Sequence, residues 1–130
     1  MIVDSCALIA ILHNEPGAQA FTDAIEECEI CRISAATFVE TAVVIDGNRN
    51  PVLSRRFDDL IRDADINIEP VTEAQARIAR EAYRDYGRGS GHSAKLNFGD
   101  CFAYALARET GEALLFKGSD FSHTDITAAV

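Results

Sequence analysis

The chain has 130 residues, of which 48% are hydrophobic and 25% are charged. Because single domains commonly span about 100–150 residues, these figures predict one globular domain over residues 1–130 and exclude a disordered or collagen-like chain. The longest apolar run, Cys6 to Leu12, is far shorter than the roughly 20 residues that cross a bilayer. We therefore expect a soluble cytoplasmic protein with no membrane partner.

Charge is distributed unevenly along the chain. The 21 acidic and 12 basic residues give a net charge of −9, which argues against capture of nucleic acid by a broad basic surface. Nine of the basic residues nevertheless lie within residues 49–95, and eight of these nine are arginines. The guanidinium group suits bidentate contacts with phosphate, so the middle of the chain is the expected place for such contacts.

Short apolar segments alternate with helical patterns in the first half of the chain. Asp4 or Ser5 is a candidate cap for the first helix, and Ser34 is a candidate cap for the third. The patterns predict a strand at residues 1–3, a helix from Ser5, a helix ending near Glu29, a strand at 30–33 and a helix from Ser34 to Ile45.

The second half continues this alternation. Asn50-Pro51 predicts a helix start with proline in the first turn, and Thr72 with Gln75 forms a capping-box pattern. The predicted elements are an amphipathic helix after Pro51, a strand at 66–68, a helix from Thr72 to Gly87, a helix at 100–108, a strand at 113–116 and a possible last strand at 125–129. This order predicts an α/β fold with a largely parallel sheet.

Residues 87–99, here called the glycine loop, contain four of the eight glycines together with Ser90, His92 and Ser93. A loop of this length and composition is a candidate for function. It is not a phosphate-binding P-loop, because no Gly-Lys-Ser or Gly-Lys-Thr sequence is present.

Four acidic residues occupy positions where an α/β protein binds ligands, beyond the carboxyl ends of its strands. Asp4 ends the first predicted strand, Asp100 opens the helix after the glycine loop, and Asp120 follows the strand at 113–116. Glu40 lies in a nearly apolar helix, where a lone ionised carboxylate would be costly. Helix capping and turn formation can explain the three aspartates singly. Together the four predict one carboxylate cluster.

A cluster made only of carboxylates predicts a particular chemistry. Oxygen ligands favour Mg²⁺, with Mn²⁺ as a substitute, over zinc or copper. One or two such ions activate a water molecule and stabilise the charge that develops on a phosphodiester during displacement. Without metal, mutual repulsion and burial should raise the pKa of some of the acids.

Four segments of the chain resemble the PIN-domain toxins of the VapC type. The resemblance runs from end to end, and the four acids follow one another with gaps of 36, 60 and 20 residues. The matching segments are Met1-Ile-Val-Asp4-Ser5, Ser34-Ala-Ala-Thr-Phe-Val-Glu40, Leu96 to Ala107 and Leu114 to Ile126.

The resemblance implies a PIN-like fold, a three-layer α/β/α sandwich with a mainly parallel central sheet. It implies a Mg²⁺- or Mn²⁺-dependent endoribonuclease that is the toxin of a type II toxin–antitoxin system. Asp4, Glu40, Asp100 and Asp120 match the family's catalytic and metal-binding acids. The implied partners are a cognate antitoxin, a second copy of the chain in a homodimer, and a structured RNA such as transfer or ribosomal RNA.

Three residues near the acids are expected to orient an acid or a water molecule. Ser5 matches the small hydroxyl residue that follows the first acid, and Asp125 is a candidate outer partner of the fourth. Ser119 stands where this branch of the family commonly has asparagine, which leaves contacts at that position open. Four arginines are candidate RNA contacts: Arg49, Arg55, Arg56 and Arg88.

The main alternative is a noncatalytic RNA- or protein-binding module of PIN-like fold, whose function would survive neutralisation of the acids. A haloacid-dehalogenase-like phosphatase is disfavoured, because it needs a second aspartate where Cys6 stands. Cys28 and Cys31 have the spacing of half a zinc site or of a redox pair, but no second Cys/His pair accompanies them and they lie at the start of an apolar strand. Core packing is the expected role of these cysteines.

Overall fold

The computed structural model describes residues 1–130 and contains four short strands: β1 (Ile2–Val3), β2 (Arg32–Ser34), β3 (Asn67–Glu69) and β4 (Leu114–Leu115). They form one sheet in the order β3-β2-β1-β4, in which every pairing is parallel. The chain thus runs outward from β1 through β2 to β3 and returns to β4 on the other side of β1. Ligands bind at such reversals of strand order in open parallel sheets.

Six helices flank the sheet. They are α1 (Ser5–Leu12), α2 (Ala18–Glu27), α3 (Ala35–Gly47), α4 (Pro51–Asp63), α5 (Glu73–Tyr86) and α6 (Asp100–Thr110). A single 3₁₀ turn follows at Phe121–His123. None of the helices is both long enough and apolar enough to cross a membrane.

The helices begin where short-range sequence signals place them. Asp4 accepts the backbone N–H of Cys6 at the start of α1, and Asn50 accepts the N–H groups of Val52 and Leu53 at the start of α4. Each cap satisfies amide groups that have no partner inside the helix. The predicted caps at Ser34 and Thr72 are also present.

Two apolar clusters lie on opposite faces of the sheet. Val3 and Leu115 belong to the cluster formed with α1 to α4, whereas their neighbours Ile2 and Leu114 belong to the cluster formed with α5 and α6. This alternation is the two-residue period of a strand that is buried on both faces. The result is the predicted α/β/α sandwich with a parallel central sheet.

The prediction of a last strand at residues 125–129 is wrong. It is reduced to one isolated bridge between Ala128 and Leu114. Leu114 donates its N–H to the carbonyl of Thr127 and accepts the N–H of Ala129, both at 2.9 Å. The terminal segment therefore pairs with β4 at Leu114 alone and does not form a fifth strand.

Two isoleucines that are paired across β2 and β3 should contribute very differently to the free energy of unfolding, because only one of them is buried. Ile33 is 0% exposed and its register partner Ile68 is 46% exposed. Replacement of Ile33 by alanine should lower the free energy of unfolding by about 2–5 kcal/mol, because it leaves a cavity. Ile68→Ala should cost about 1 kcal/mol or less. Urea unfolding followed by circular dichroism measures both, and equal losses would contradict the assigned core.

Candidate functional site

Four carboxylates line one cavity of about 340 Å³ at the carboxyl end of the sheet. Asp4 follows β1 directly, Glu40 lies in the second turn of α3, Asp100 begins α6, and Asp120 lies five residues after β4. Residues separated by up to 116 positions are thus brought to the point where the strand order reverses. The structure brings together the four acids that the sequence analysis singled out.

Asp4 is the most deeply buried of these acids, with 1% of its surface exposed. One carboxylate oxygen, Oδ2, accepts the backbone N–H of Cys6 at 3.2 Å and its thiol at 2.7 Å. The other, Oδ1, is buried without a hydrogen-bond partner. Burial raises the pKa of Asp4, and the negative charge of Glu40 adds to this effect.

Cys6 connects this acid to the loop after β4. Its sulfur donates to Asp4 and accepts the backbone N–H of Lys117 at 3.0 Å. Burial and the charge of Asp4 both raise the pKa of the Cys6 thiol, so the group stays protonated and can keep donating. The thiol therefore fixes the orientation of Asp4 and ties it to Lys117.

Glu40 is positioned by two neighbours from different elements. The hydroxyl of Ser5 donates to Glu40 Oε1 at 2.8 Å. Gly99 lies directly beneath the carboxylate, and a Cβ atom built at this position would overlap the carboxylate of Glu40. Gly99 has helical backbone angles, so the requirement for glycine here is one of space and not of conformation.

Asp100 forms a reciprocal pair with Asn97 at the start of α6. The N–H of Asn97 donates to Asp100 Oδ2 at 2.9 Å, and the N–H of Asp100 donates to Asn97 Oδ1 at 2.8 Å. Burial raises the pKa of Asp100 to about 6, and the charges of Asp4, Asp120 and Glu40 act in the same direction. This outcome matches the expectation that the acids repel one another.

Comparison with known proteins agrees with this geometry. Residues 1–126 match the PIN domain family. The chain belongs to the PIN-domain family. It is 54% identical over 130 residues to ribonuclease VapC28 of Mycobacterium tuberculosis, an alignment that covers 100% of this chain and 98% of that protein. The predicted family is thus confirmed.

Two solved structures share the fold. The crystal structure of Mycobacterium tuberculosis VapC20, described as a Sarcin-Ricin loop cleaving toxin, superposes with a TM-score of 0.74 at 15% identity and covers 97% of this chain and 95% of that one. A toxin–antitoxin complex from Klebsiella pneumoniae gives a TM-score of 0.68 at 20% identity, with coverage of 93% and 89%. These likenesses confirm the predicted PIN-like fold.

The chemistry of the cavity fits the metal on which nucleases of the PIN family depend. The four acids supply only oxygen ligands, and Asp4 Oδ1 is a buried carboxyl oxygen without a hydrogen-bond partner. An unpaired buried acceptor is costly, and a cation removes that cost. No three His, Cys, Asp or Glu side chains, however, stand as a preassembled metal site, so binding an ion requires some movement of the acids.

The residues that were predicted to orient an acid or a water molecule differ in how close they lie to the four acids. Ser5 lines the cavity, whereas Ser119 is exposed and its carbonyl accepts the N–H of Ser122. Asp125 is not brought to the acids, because its carboxylate accepts the hydroxyl of Tyr104 at 2.7 Å and pairs with Arg108 at 3.2 Å.

The candidate RNA-contacting arginines are also dispersed. Three of them lie outside the cavity that holds the acids, at the end of α3 or on the exposed side of α4: Arg49, Arg55 and Arg56. Arg88 lines a neighbouring cavity that it shares with Asp120.

Three residues of this site were not singled out from the sequence: Cys6, Asn97 and Gly99. Asn97 precedes Asp100 by three positions, which is the spacing of a capping box and therefore a usable signal. Cys6 and Gly99 carry no such local signal. Their roles depend on groups that are far away in sequence: Lys117 lies 111 positions from Cys6, and Glu40 lies 59 positions from Gly99.

Gly99 provides a test of whether the position of Glu40 matters for metal binding. Gly99→Ala should weaken Mn²⁺ binding at least about tenfold, in line with other changes that displace a metal ligand. Isothermal titration calorimetry measures the affinity. Gly47→Ala in α3 is the matched control, because a Cβ atom there meets nothing within 4 Å. Equal affinities for the two variants would contradict the assigned role of Glu40.

The raised pKa of Asp100 predicts a pH effect on the metal-free protein. The folded state holds the proton up to about pH 6, whereas the unfolded chain releases it near 3.8, so stability falls as pH rises between these values. Asp100→Asn removes this penalty and leaves an oxygen to accept from Asn97. In EDTA, the Tm of Asp100→Asn minus the Tm of wild type should increase as the pH rises from about 4 to about 7. A constant difference would contradict the prediction.

Proposed function

We propose that this protein is the toxin of a type II toxin–antitoxin system and that it hydrolyses phosphodiester bonds of RNA at the cavity lined by Asp4, Glu40, Asp100 and Asp120. The observation that carries this proposal is the convergence of four acids at the carboxyl end of the sheet, one of them with an unpaired buried oxygen. The predicted ribonuclease class is supported by the 54% identity to a curated VapC ribonuclease over the whole chain.

The acids are proposed to hold Mg²⁺, with Mn²⁺ as a substitute. When bound, such an ion activates water and stabilises the charge that develops on the phosphodiester. Cys6 keeps Asp4 oriented, Ser5 keeps Glu40 oriented, and Asn97 keeps Asp100 oriented. These hydrogen bonds are formed before substrate binds, so each of the three carboxylates already has a partner that limits its orientation.

Two protein partners belong to the proposal. An antitoxin partner is supported by the Klebsiella pneumoniae neighbour, which is a toxin–antitoxin complex. A homodimer is the proposed form of the toxin. Exposed apolar side chains are available for these contacts on α3, where Val39, Val43 and Val44 are 57%, 66% and 43% exposed, and on the segment before α6, where Phe98 is 77% exposed.

The proposed substrate is a structured RNA such as transfer or ribosomal RNA. The Mycobacterium tuberculosis neighbour carries the description of a toxin that cleaves the Sarcin-Ricin loop. Since such RNAs are cytoplasmic, we place the protein in the cytoplasm, as one PIN domain that spans residues 1–130.

Cleavage of purified total RNA tests the function. Wild-type protein should produce discrete new 5′ ends with Mg²⁺ or Mn²⁺, and EDTA should abolish them. Asp4→Asn should lower the cleavage rate at least about a hundredfold, because the buried carboxylate can no longer hold a metal ion.

Asp58→Asn is the matched control, since Asp58 is an exposed acid of α4 outside the cavity. This variant should cleave like wild type, and thermal unfolding should show that both variants are folded. If wild type leaves RNA intact while it and Asp4→Asn bind RNA or antitoxin equally well, the protein is a noncatalytic binding module instead.

A further inference from the structure

The glycine loop forms a second cavity beside the acids. This cavity has a volume of about 670 Å³ and no hydrophobic side chain in its lining. Three of its residues carry groups that can donate hydrogen bonds to an anion: Arg88, His92 and Lys95. Asp120 lines both this cavity and the one that holds the other acids. The two cavities are therefore neighbours that share one wall.

The two strong cations of this second cavity have no acidic partner in the structure. Six of the twelve lysines and arginines form ion pairs, but Arg88 and Lys95 do not. Both side chains are exposed. In a protein of net charge −9, a cavity lined by two unpaired cations and one acid, Asp120, has a local excess of positive charge.

The loop that carries these cations is held in place by its own backbone. The N–H of Arg88 donates to the carbonyl of Leu96, and the N–H of Leu96 donates to the carbonyl of Tyr86, both at 2.9 Å. Ala94 and Leu96 are fully buried on either side of Lys95. Lys95 has a φ of +53°, a left-handed conformation that is unfavourable for a residue with a side chain. The buried neighbours thus hold the backbone of Lys95 in place, while its side chain is exposed.

His92 is oriented in the same cavity. Its ring meets the ring of Tyr86 edge to face, with centroids 4.8 Å apart. Nδ1 of His92 accepts the N–H of Ala94 at 3.1 Å. The neutral ring must therefore carry its proton on Nε2, which makes Nε2–H a hydrogen-bond donor. The cavity thus offers a donor in addition to its two cations.

We propose that Arg88, His92 and Lys95 form a phosphate subsite that holds a backbone phosphate of the RNA next to the bond being cleaved. The inference rests on the proposed function, because it assigns a neighbouring part of the same RNA to this cavity. A guanidinium, an ammonium and a ring N–H are groups that bind phosphate oxygens. Because Asp120 lines both cavities, a strand that leaves the acids can pass directly into this one. The loop thus supplies a local attraction that the acidic surface as a whole lacks.

Salt-dependent RNA binding tests the subsite. Binding of fluorescein-labelled bulk transfer RNA is measured by fluorescence anisotropy with Mg²⁺, in the Asp4→Asn background so that the probe stays intact. Arg88→Gln and Lys95→Asn each remove one cation, and asparagine tolerates the left-handed conformation at position 95. Each change should reduce the slope of log affinity against log salt by about one, and Arg88→Lys should retain most of the binding.

Arg62→Gln is the matched control, because it removes the same charge from an exposed ion-paired arginine of α4. Its slope should equal that of the parent. Unchanged slopes in Arg88→Gln and Lys95→Asn would overturn the subsite and leave the loop as a docking place for an acidic protein segment. An equal reduction of the slope in Arg62→Gln would also overturn the subsite, since only the net charge of the protein would then matter.

A cleavage assay with Asp4 intact separates this proposal from the function itself. Arg88→Gln and Lys95→Asn should raise KM for RNA several-fold, with kcat and the cut positions unchanged. Normal KM values with normal cleavage would overturn the subsite alone. Absence of metal-dependent cleavage by wild type would overturn the proposed function, and the subsite with it.

Discussion

The buried carboxylate of Asp4 is the constraint on which the rest of the site depends. An ionised group that is 1% exposed is stable only where hydrogen bonds or a cation meet it. The fold supplies hydrogen bonds to one of its oxygens and leaves the other unpaired. Asp4 cannot move to solvent, because its N–H is bonded to the carbonyl of Leu115 within the sheet and its side chain caps α1. The centre of the fold thus holds an oxygen ready for a cation.

The four acids are not held equally. Asp4, Glu40 and Asp100 each have a partner that fixes the carboxylate. Asp120 is exposed, has no side-chain partner and follows Gly118, whose φ is +94°. The acids share a cavity, but no three of them form a preassembled metal site. Asp120 has the fewest contacts to lose, so the loop after β4 is the part of the site that is freest to move when the acids bind an ion.

The parts of this structure that the sequence predicted depend on short-range signals. Caps such as Asn50 act within a few residues, and hydrophobic periodicity identifies helices without knowledge of their neighbours. The contacts that the sequence did not predict join residues that are distant along the chain. Asp125 lies near Asp120 in sequence, yet it bonds to Tyr104 and Arg108 because the chain turns at residues 121–123. The need for glycine at position 99 follows only from where Glu40 lies in space.

The same reasoning bears on how an acidic protein attracts a polyanion. A net charge of −9 repels RNA at long range, and this repulsion is screened by salt. Attraction must therefore act at short range, from cations that lie close to the acids and are not neutralised by other side chains. Lys117 lies in the acid cavity but is paired with Glu15, whereas Arg88 and Lys95 have no such partner. The glycine loop therefore supplies cations that are free to meet phosphate beside the candidate catalytic acids.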